Sequence, residues 1–331
     1  VKKLISILIP AKDAGPYLNT CIDSILNQSY PNWELIVIND SSSDNTWSIL
    51  NHYQNHNEQI KVYENNGSGI IAALQTAYLH SNGSFIHRMD ADDVMPVNKL
   101  ELLMNSWEKG CLSTGMVQYF SDEWLVGLGF QNYEKWINNL MISENLWEDV
   151  YMECPIPSPA WLIERSDFER IGGFESSLLP EDYDFCFRAY ANKIKINTVK
   201  EVIHLWRDSQ NRTSRKVPIY FPIAYYPLKV YYFLKIDRDF SKKMVLWGAG
   251  KKGKKVAALL KQNSADFIWC TDSIKKIGVD IDGTVLKASS SINFLDKQLI
   301  IAVSSPEDKI DIQRRLDAQN LRKAVDYWWF C

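Results

Sequence analysis

Cysteine is scarce and scattered. The six, Cys21, Cys111, Cys154, Cys186, Cys270 and Cys331, form no C-x-x-C pair, which excludes a zinc-type spacing and a dense disulfide framework and suits a reducing compartment. Glycine and proline, 15 and 12 of 331 residues, are too few for a collagenous or low-complexity chain. Net charge is nearly absent. Thirty-seven basic against 40 acidic side chains give −3, too little for bulk electrostatic capture of nucleic acid, so no nucleic-acid partner is expected. Long apolar runs are missing as well. Leu4–Ile9 is shorter than a secretory apolar region, so no leader is expected. The stretch Val217–Ile236 is broken by Pro218, Pro222 and Pro227 and carries Lys229 and Lys235, which argues against a spanning helix. A cytoplasmic protein is expected, with peripheral association at the inner face of a membrane as the most that this run allows.

What is present is an ordinary globular composition, 46% apolar and 12% aromatic, in a length that suits about two domains. The charge is divided unevenly. Residues 241–331 hold 16 basic and 10 acidic side chains, hence +6, which leaves −9 for residues 1–240. Opposite signs on the two parts suit two domains with different neighbours.

The N-terminal part alternates strand and helix signals. Leu4–Ile9, Glu34–Ile38, Ile60–Tyr63 and Ser84–Arg88 read as strands, the first almost wholly apolar as in a parallel sheet covered on both faces. Between them, helical spacing places Leu18, Cys21, Ile22 and Ile25 on one face, then Trp47, Leu50 and Tyr53, then Ile70, Leu74 and Ala77. This alternation specifies an open, doubly wound α/β sheet. Ligands of such sheets bind beyond the carboxyl ends of the strands, and Asp13, Asp40, Asp90 and Asp92 all follow strand ends. Near residue 241 a second βαβ pattern begins. The expected division is 1–216, a linker helix in 217–240, and 241–331.

Two acidic motifs carry chemistry. Asp90-Ala91-Asp92 follows a buried strand, and on extended backbone its two carboxylates project the same way. Hard oxygen ligands at that spacing suit Mn²⁺ or Mg²⁺ shared with a phosphorylated substrate. Pro180-Glu181-Asp182-Tyr183-Asp184 opens a helix, where acids also favour the first turn for the helix dipole alone.

The order of the motifs resembles glycosyltransferase family 2, the inverting nucleotide-sugar transferases of the GT-A fold. Ser6–Asp13, Leu35–Thr46, Gly69–Ala73, His87–Asp93, Gly172–Phe174 and Pro180–Arg188 match in sequence order. The resemblance implies that Pro10, Ala11 and Asp13 wall a nucleobase and ribose pocket, and that Asp40 accepts a hydrogen bond from the base. It implies Asp90 at the ribose or the metal, Asp92 as direct ligand of Mn²⁺ or Mg²⁺, and Asp182, beside Glu181, as general base toward the acceptor hydroxyl. The segment His204–Ser214 resembles the one after the base in many relatives, which implies His204 as a third metal ligand, with a merely packed histidine as the alternative, and Arg207 on the diphosphate. The implied reaction transfers a sugar from a nucleotide diphosphate sugar, a UDP-sugar foremost, to a saccharide or lipid-linked acceptor in surface polysaccharide assembly. One departure is Leu74-Gln75, where many relatives carry Arg-Asn.

In the C-terminal part, Gly248-Ala-Gly250-Lys-Lys-Gly253 stands between a strand and a helix, and Asp272 ends the next strand 19 residues on. That is a dinucleotide-type fingerprint, so Gly248, Gly250, Gly253 and Asp272 are a candidate second nucleotide site in a small Rossmann-like domain. Two rivals follow. A nicotinamide-dependent sugar-nucleotide oxidoreductase would use this second domain, but no Tyr-x-x-x-Lys relay is apparent. A non-catalytic scaffold would be expected to have lost Asp92 or Asp182, and both are present.

Overall fold

The computed structural model describes residues 2–175, 178–209, 212, 215, 217, 218 and 221–331. The chain divides into two compact units, one of residues 1–146 with 155–212, the other of 147–154 with 213–331.

The first unit is built on a seven-stranded sheet. Its strands are β1 (Ile5–Ala11), β2 (Trp33–Asn39), β3 (Ile60–Glu64), β4 (Phe85–Arg88), β5 (Cys111–Phe120), β6 (Trp161–Glu164) and β7 (Lys195–Arg207), in the order β3-β2-β1-β4-β6-β5-β7. The first four run parallel, β6 is antiparallel to both its neighbours, and β5 and β7 are parallel to each other. Strands β1 and β2 are nearly continuous apolar runs, because each is paired on both sides and covered on both faces; β4 is as buried but ends in His87 and Arg88. Helix α1 (Gly15–Leu26) begins at Pro16 and buries Leu18, Cys21, Ile22 and Ile25, the expected face. Helices α2 (Thr46–His56) and α3 (Ile70–Leu79) follow β2 and β3, and α4 (Lys99–Ser106) packs on β7. Further along come α5 (Leu128–Ser143), α6 (Arg165–Arg170) and α7 (Glu181–Ala191). Parallel pairing puts the ends of β1, β2 and β4 at one edge of the sheet, and β7 runs long enough to bring His204 and Arg207 to it through the Val94–Leu205 bridge.

The second unit contains a parallel five-stranded sheet. Strands β8 (Lys243–Trp247), β9 (Phe267–Thr271), β12 (Lys287–Ala288), β13 (Lys297–Ile301) and β14 (Tyr327–Trp329) are ordered β12-β9-β8-β13-β14, and β10 (Asp280–Ile281) and β11 (Thr284–Val285) form a separate hairpin. Helices α8 (Tyr226–Tyr232), α9 (Lys251–Gln262) and α10 (Pro306–Asp317) complete it. Val245, Trp247, Cys270, Phe294, Leu299, Ile301, Leu316 and Trp329 pack as its core.

Two expectations about the division need correction. Residues 217–240 are not a linker: Tyr226, Leu228, Val230 and Phe233 are buried within the second unit. Nor is 1–216 contiguous, since residues 147–154 leave the first unit for the second. There the Tyr151 hydroxyl donates to Asp237 (2.6 Å), the Tyr151 ring stacks on Phe330, and Lys229 Nζ donates to the Met152 carbonyl (2.8 Å). A buried lysine satisfied by carbonyls and a tyrosine with an acceptor are the contacts that hold such an excursion in an apolar core. No described helix is long and apolar enough to cross a membrane.

Candidate functional site

The loops after β1 and β2 are locked together. Asp13 takes a left-handed backbone (φ 48°), its carboxylate accepts from the Ser43 amide (2.7 Å) and hydroxyl (3.0 Å), and its own amide donates to Ser42 Oγ (3.0 Å). Pro10 and Ala11 lie beside β2 in register with Ile38 and Asn39. Asp40 is buried. Its carboxylate accepts from the Gly69 amide at 3.1 Å and from Asn65 Nδ2 at 2.7 Å, so it ties the turn before α3 to the end of β2. Ahead of α2, Asp44 Oδ1 accepts from the Thr46 amide (3.0 Å).

The turn after β4 holds Asp90, Ala91, Asp92 and Asp93. Asp90 and Asp92 are half-buried, whereas Asp93 points inward and is 1% exposed. Asp93 Oδ1 accepts from the Arg207 amide (2.8 Å), and Asp93 Oδ2 lies 2.9 Å from His204 Nε2. The other ring nitrogen, Nδ1, lies 3.1 Å from Lys99 Nζ. His204 is therefore not placed as a metal ligand: both nitrogens are engaged and the ring is fully buried. Arg207 also departs from its expected role. Its Nε donates to the Asp92 carbonyl (2.7 Å), Nη1 pairs with Asp122, and the guanidinium lies over the Tyr17 and Phe120 rings at 4.9 and 4.5 Å. It is spent on the protein, not aimed at a phosphate. Of the rest of the segment to Ser214, Gln210, Asn211, Thr213 and Ser214 lie outside the described residues.

Glu181 and Asp182 open α7 and reach the same edge. The link is Arg88, the last residue of β4, whose Nε lies 3.3 Å from Asp90 Oδ1 and whose Nη1 lies 3.1 Å from Glu181 Oε1. The Gly172–Phe174 turn is held on two sides, by Gln75 Nε2 donating to the Phe174 carbonyl (2.8 Å) and by Arg188 Nη1 donating to the Ile171 carbonyl (2.7 Å). Gln75, the departure noted above, thus has a structural task. Arg88, Asp93, Lys99 and Asp122 were not singled out from sequence, although two left a signal. Arg88 is a charge in a wholly buried strand, and Lys99 shares the inward face of α4 with Leu100 and Leu103.

In the second unit the glycine-rich turn does what its spacing requires. A Cβ on Gly253 would stand 2.1 Å from the Gly248 carbonyl oxygen, so helix and loop approach closely only through glycine. Asp272 is already engaged: Oδ2 accepts from Trp247 Nε1 (2.7 Å), and Oδ1 accepts from Arg315 Nη1 (2.7 Å) and from the Ser289 hydroxyl. The carboxylate of the candidate second nucleotide site is thereby held by groups of its own unit.

The profile of glycosyl transferase family 2 matches residues 6–172, half of the chain. The chain belongs to that family. It is 27% identical over 219 residues to glycosyltransferase GlyA of Streptococcus pneumoniae serotype 4, covering 64% of this chain and 31% of the relative. It is 36% identical over 101 residues to the putative teichuronic acid biosynthesis glycosyltransferase TuaG of Bacillus subtilis, covering 30% of this chain and 40% of the relative. The chain thus spans less than half the length of either relative. Among solved structures, Staphylococcus aureus TarS in complex with UDP-GlcNAc aligns with a TM-score of 0.52 at 17% identity, covering 72% of this chain and 68% of that one. The mannosyltransferase PcManGT of Pyrobaculum calidifontis, in complex with GDP-Man and Mn²⁺, aligns with a TM-score of 0.54 at 16% identity over 80% and 76%. At such identities the likeness is one of fold, and it is the expected GT-A-like α/β fold.

The electrostatics of this family 2 site are those of crowded acids. Burial first, then the neighbouring Asp93 and Asp90, push the Asp92 carboxyl up to about 8. Asp93 is pushed up to about 8 by burial and by Asp90, and Asp182 to about 7 by burial and by Glu181. Burial pulls the Lys99 amine down to about 7 and holds His204 well below the usual histidine range. Arg212 opposes the rise at both Asp92 and Asp93, and lies against the rings of Tyr119, Phe130 and Trp206 at 5.1, 5.3 and 4.7 Å.

Proposed function

We propose that this chain transfers a sugar from a nucleotide diphosphate sugar, a UDP-sugar foremost, to a hydroxyl of a saccharide or lipid-linked acceptor, with inversion. The observation that carries the proposal is the convergence of Asp90-x-Asp92 and Glu181-Asp182 on one sheet edge, joined by Arg88, in a member of family 2. Attack on the anomeric carbon requires the acceptor hydroxyl to lose a proton as the new bond forms opposite the departing diphosphate. Asp182 is the group for that proton, because burial and Glu181 raise its affinity to about 7, near working pH.

The donor set fits a divalent cation. Asp90 and Asp92 offer hard oxygen atoms, and their mutual repulsion is the kind a 2+ charge relieves. Among the described residues no group of three or more His, Cys, Asp or Glu side chains is arranged around a metal position. Asp90 and Asp92 would therefore be the protein ligands of Mn²⁺ or Mg²⁺, with His204 excluded by its own hydrogen bonds. When bound, the ion supplies charge neutralisation on the diphosphate. Asp13 and Asp40, fixed by the interlocked loops after β1 and β2, would bound the nucleoside pocket.

The structural relatives named above carry UDP-GlcNAc and GDP-Man, and TuaG is named for teichuronic acid biosynthesis, which supports a nucleotide-sugar donor and a surface polysaccharide setting. We assign the second unit as a Rossmann-like domain beside the transferase. The oxidoreductase alternative is weakened by the engagement of Asp272 with Trp247, Ser289 and Arg315.

The test is a panel of UDP-, GDP- and TDP-sugars assayed for hydrolysis and transfer with and without Mn²⁺. Asp92→Asn and Asp182→Asn should each remove activity. Turnover unchanged in both variants would overturn the reading.

A further inference from the structure

Beneath the Asp90–Asp93 turn lies a chain of buried polar groups that the proposed chemistry does not use. Lys99, His204 and Asp93 are each essentially without solvent exposure. Lys99 Nζ donates to the Pro159 carbonyl at 2.6 Å and lies 3.1 Å from His204 Nδ1, while His204 Nε2 lies 2.9 Å from Asp93 Oδ2. An ammonium group has only donors. With Lys99 as an ammonium, Nδ1 accepts from it and the ring proton falls on Nε2, facing Asp93. The remaining Asp93 oxygen accepts from the Arg207 amide, and Arg207 Nε returns to the Asp92 carbonyl. Next to this, Val94 and Leu205 exchange two backbone hydrogen bonds of 3.1 and 3.0 Å.

The turn carrying the two outward carboxylates is thus fastened to β7 at three successive points. Residues 93, 99 and 204 come from a turn, a helix and a distant strand, so the fastening is a tertiary device with no local backbone need for a lysine or a histidine. A buried lysine and histidine are costly to keep in a core unless they are paired, and here the pairing ends on the turn that presents Asp90 and Asp92.

We propose that Lys99, His204 and Asp93 form a positioning relay that sets the spacing of Asp90 and Asp92, so that His204 acts on the donor's diphosphate end through Asp93 and never as a metal ligand. This rests on the reading of Asp90 and Asp92 as the metal-holding pair. Groups that orient ligands from behind typically contribute about 10–100-fold in metal affinity.

The test titrates Mn²⁺ alone into the full chain, following free Mn²⁺ by electron paramagnetic resonance, with steady-state kinetics alongside. Lys99→Met and His204→Ala should weaken Mn²⁺ binding about 10–100-fold and raise the donor KM more than they lower kcat. His204→Gln keeps an amide N–H where Nε2–H stands, and should restore most of the affinity. Circular dichroism and thermal midpoints establish that each variant is folded. Should His204→Ala fail to fold, Lys99→Met and His204→Gln decide the matter. Wild-type Mn²⁺ affinity in folded Lys99→Met, or His204→Gln binding more than tenfold weaker than wild type, overturns the relay, the second result pointing to direct ligation by histidine. Asp92→Asn separates the two levels. If it leaves Mn²⁺ binding unchanged, the metal-pair reading itself fails and the relay falls with it; if it abolishes binding while the Lys99 and His204 variants bind normally, only the relay fails.

Discussion

Arg88 and Glu181 stand 93 positions apart in the chain and meet at 3.1 Å, both nearly closed to solvent. The same guanidinium touches Asp90 at 3.3 Å. One cation thereby fixes the carboxylate turn after β4 against the first turn of α7, which carries Asp182. Its three acidic neighbours Asp90, Glu181 and Asp182 all favour its charged form, against the effect of burial.

Arg88→Met should cost about 3–5 kcal/mol of stability, because a buried partner is left without compensation. Arg88→Met combined with Glu181→Gln should recover part of that loss. Activity stays low in both, since a misplacement of about 1 Å at a reacting group can cost on the order of 100-fold. Denaturant melts of the two singles and the double measure the coupling. Additive losses would mean that the pair does not interact.

Activity should rise as pH passes through about 7, where Asp182 gives up its proton. The sign follows from the role: a base works only when unprotonated, and burial together with Glu181 delays that beyond the ordinary carboxylate range. Glu181→Gln removes the like charge and should move the acid limb of the kcat/KM profile to lower pH. A wild-type limb near the usual carboxylate value, or no movement in Glu181→Gln, would contradict the assignment.

Gly253→Ala and Gly250→Ala should differ sharply. A Cβ at position 253 meets the Gly248 carbonyl oxygen at 2.1 Å, while one at 250 has nothing within 4 Å. The first should destabilise the second unit by about 1–3 kcal/mol or more, as overpacking does, and the second by well under that. Thermal melts of the two variants give the comparison.

Truncation after residue 216 should yield a less stable, aggregation-prone protein. It leaves residues 147–154 without Asp237, Lys229 and Phe330, the partners of Tyr151 and Met152, and exposes apolar surface that the full chain covers. A truncated chain melting at or above the temperature of the full one would show that the excursion is dispensable.

Much of the first unit was legible from periodicity. The strands Leu4–Ile9, Glu34–Ile38, Ile60–Tyr63 and Ser84–Arg88 appear within a residue or two of their expected bounds; the first two are legible because a strand buried on both faces leaves a nearly unbroken apolar run. Asp90 and Asp92 stand just beyond the end of β4, as expected. The roles of His204 and Arg207 were not legible. Both lie in β7, and what they touch is set by Asp93, Lys99 and Asp122, between 85 and 114 positions away. The excursion of residues 147–154 was hidden likewise, since Tyr151 and Met152 read as ordinary apolar residues wherever they pack.

The amino-acid sequence by itself determined the alternation of strands and helices, the acids beyond the strand ends and the glycine-rich turn of the second unit. Those features are local, written in spacing and in backbone requirements over a few residues. Only the tertiary structure decided which charges face a ligand and which face one another: it turned Asp93 inward to His204, gave Asp272 to Arg315 and placed Arg88 between Asp90 and Glu181. A buried charge takes whichever partner the packing brings within about 3 Å, and distance along the chain carries no record of that choice.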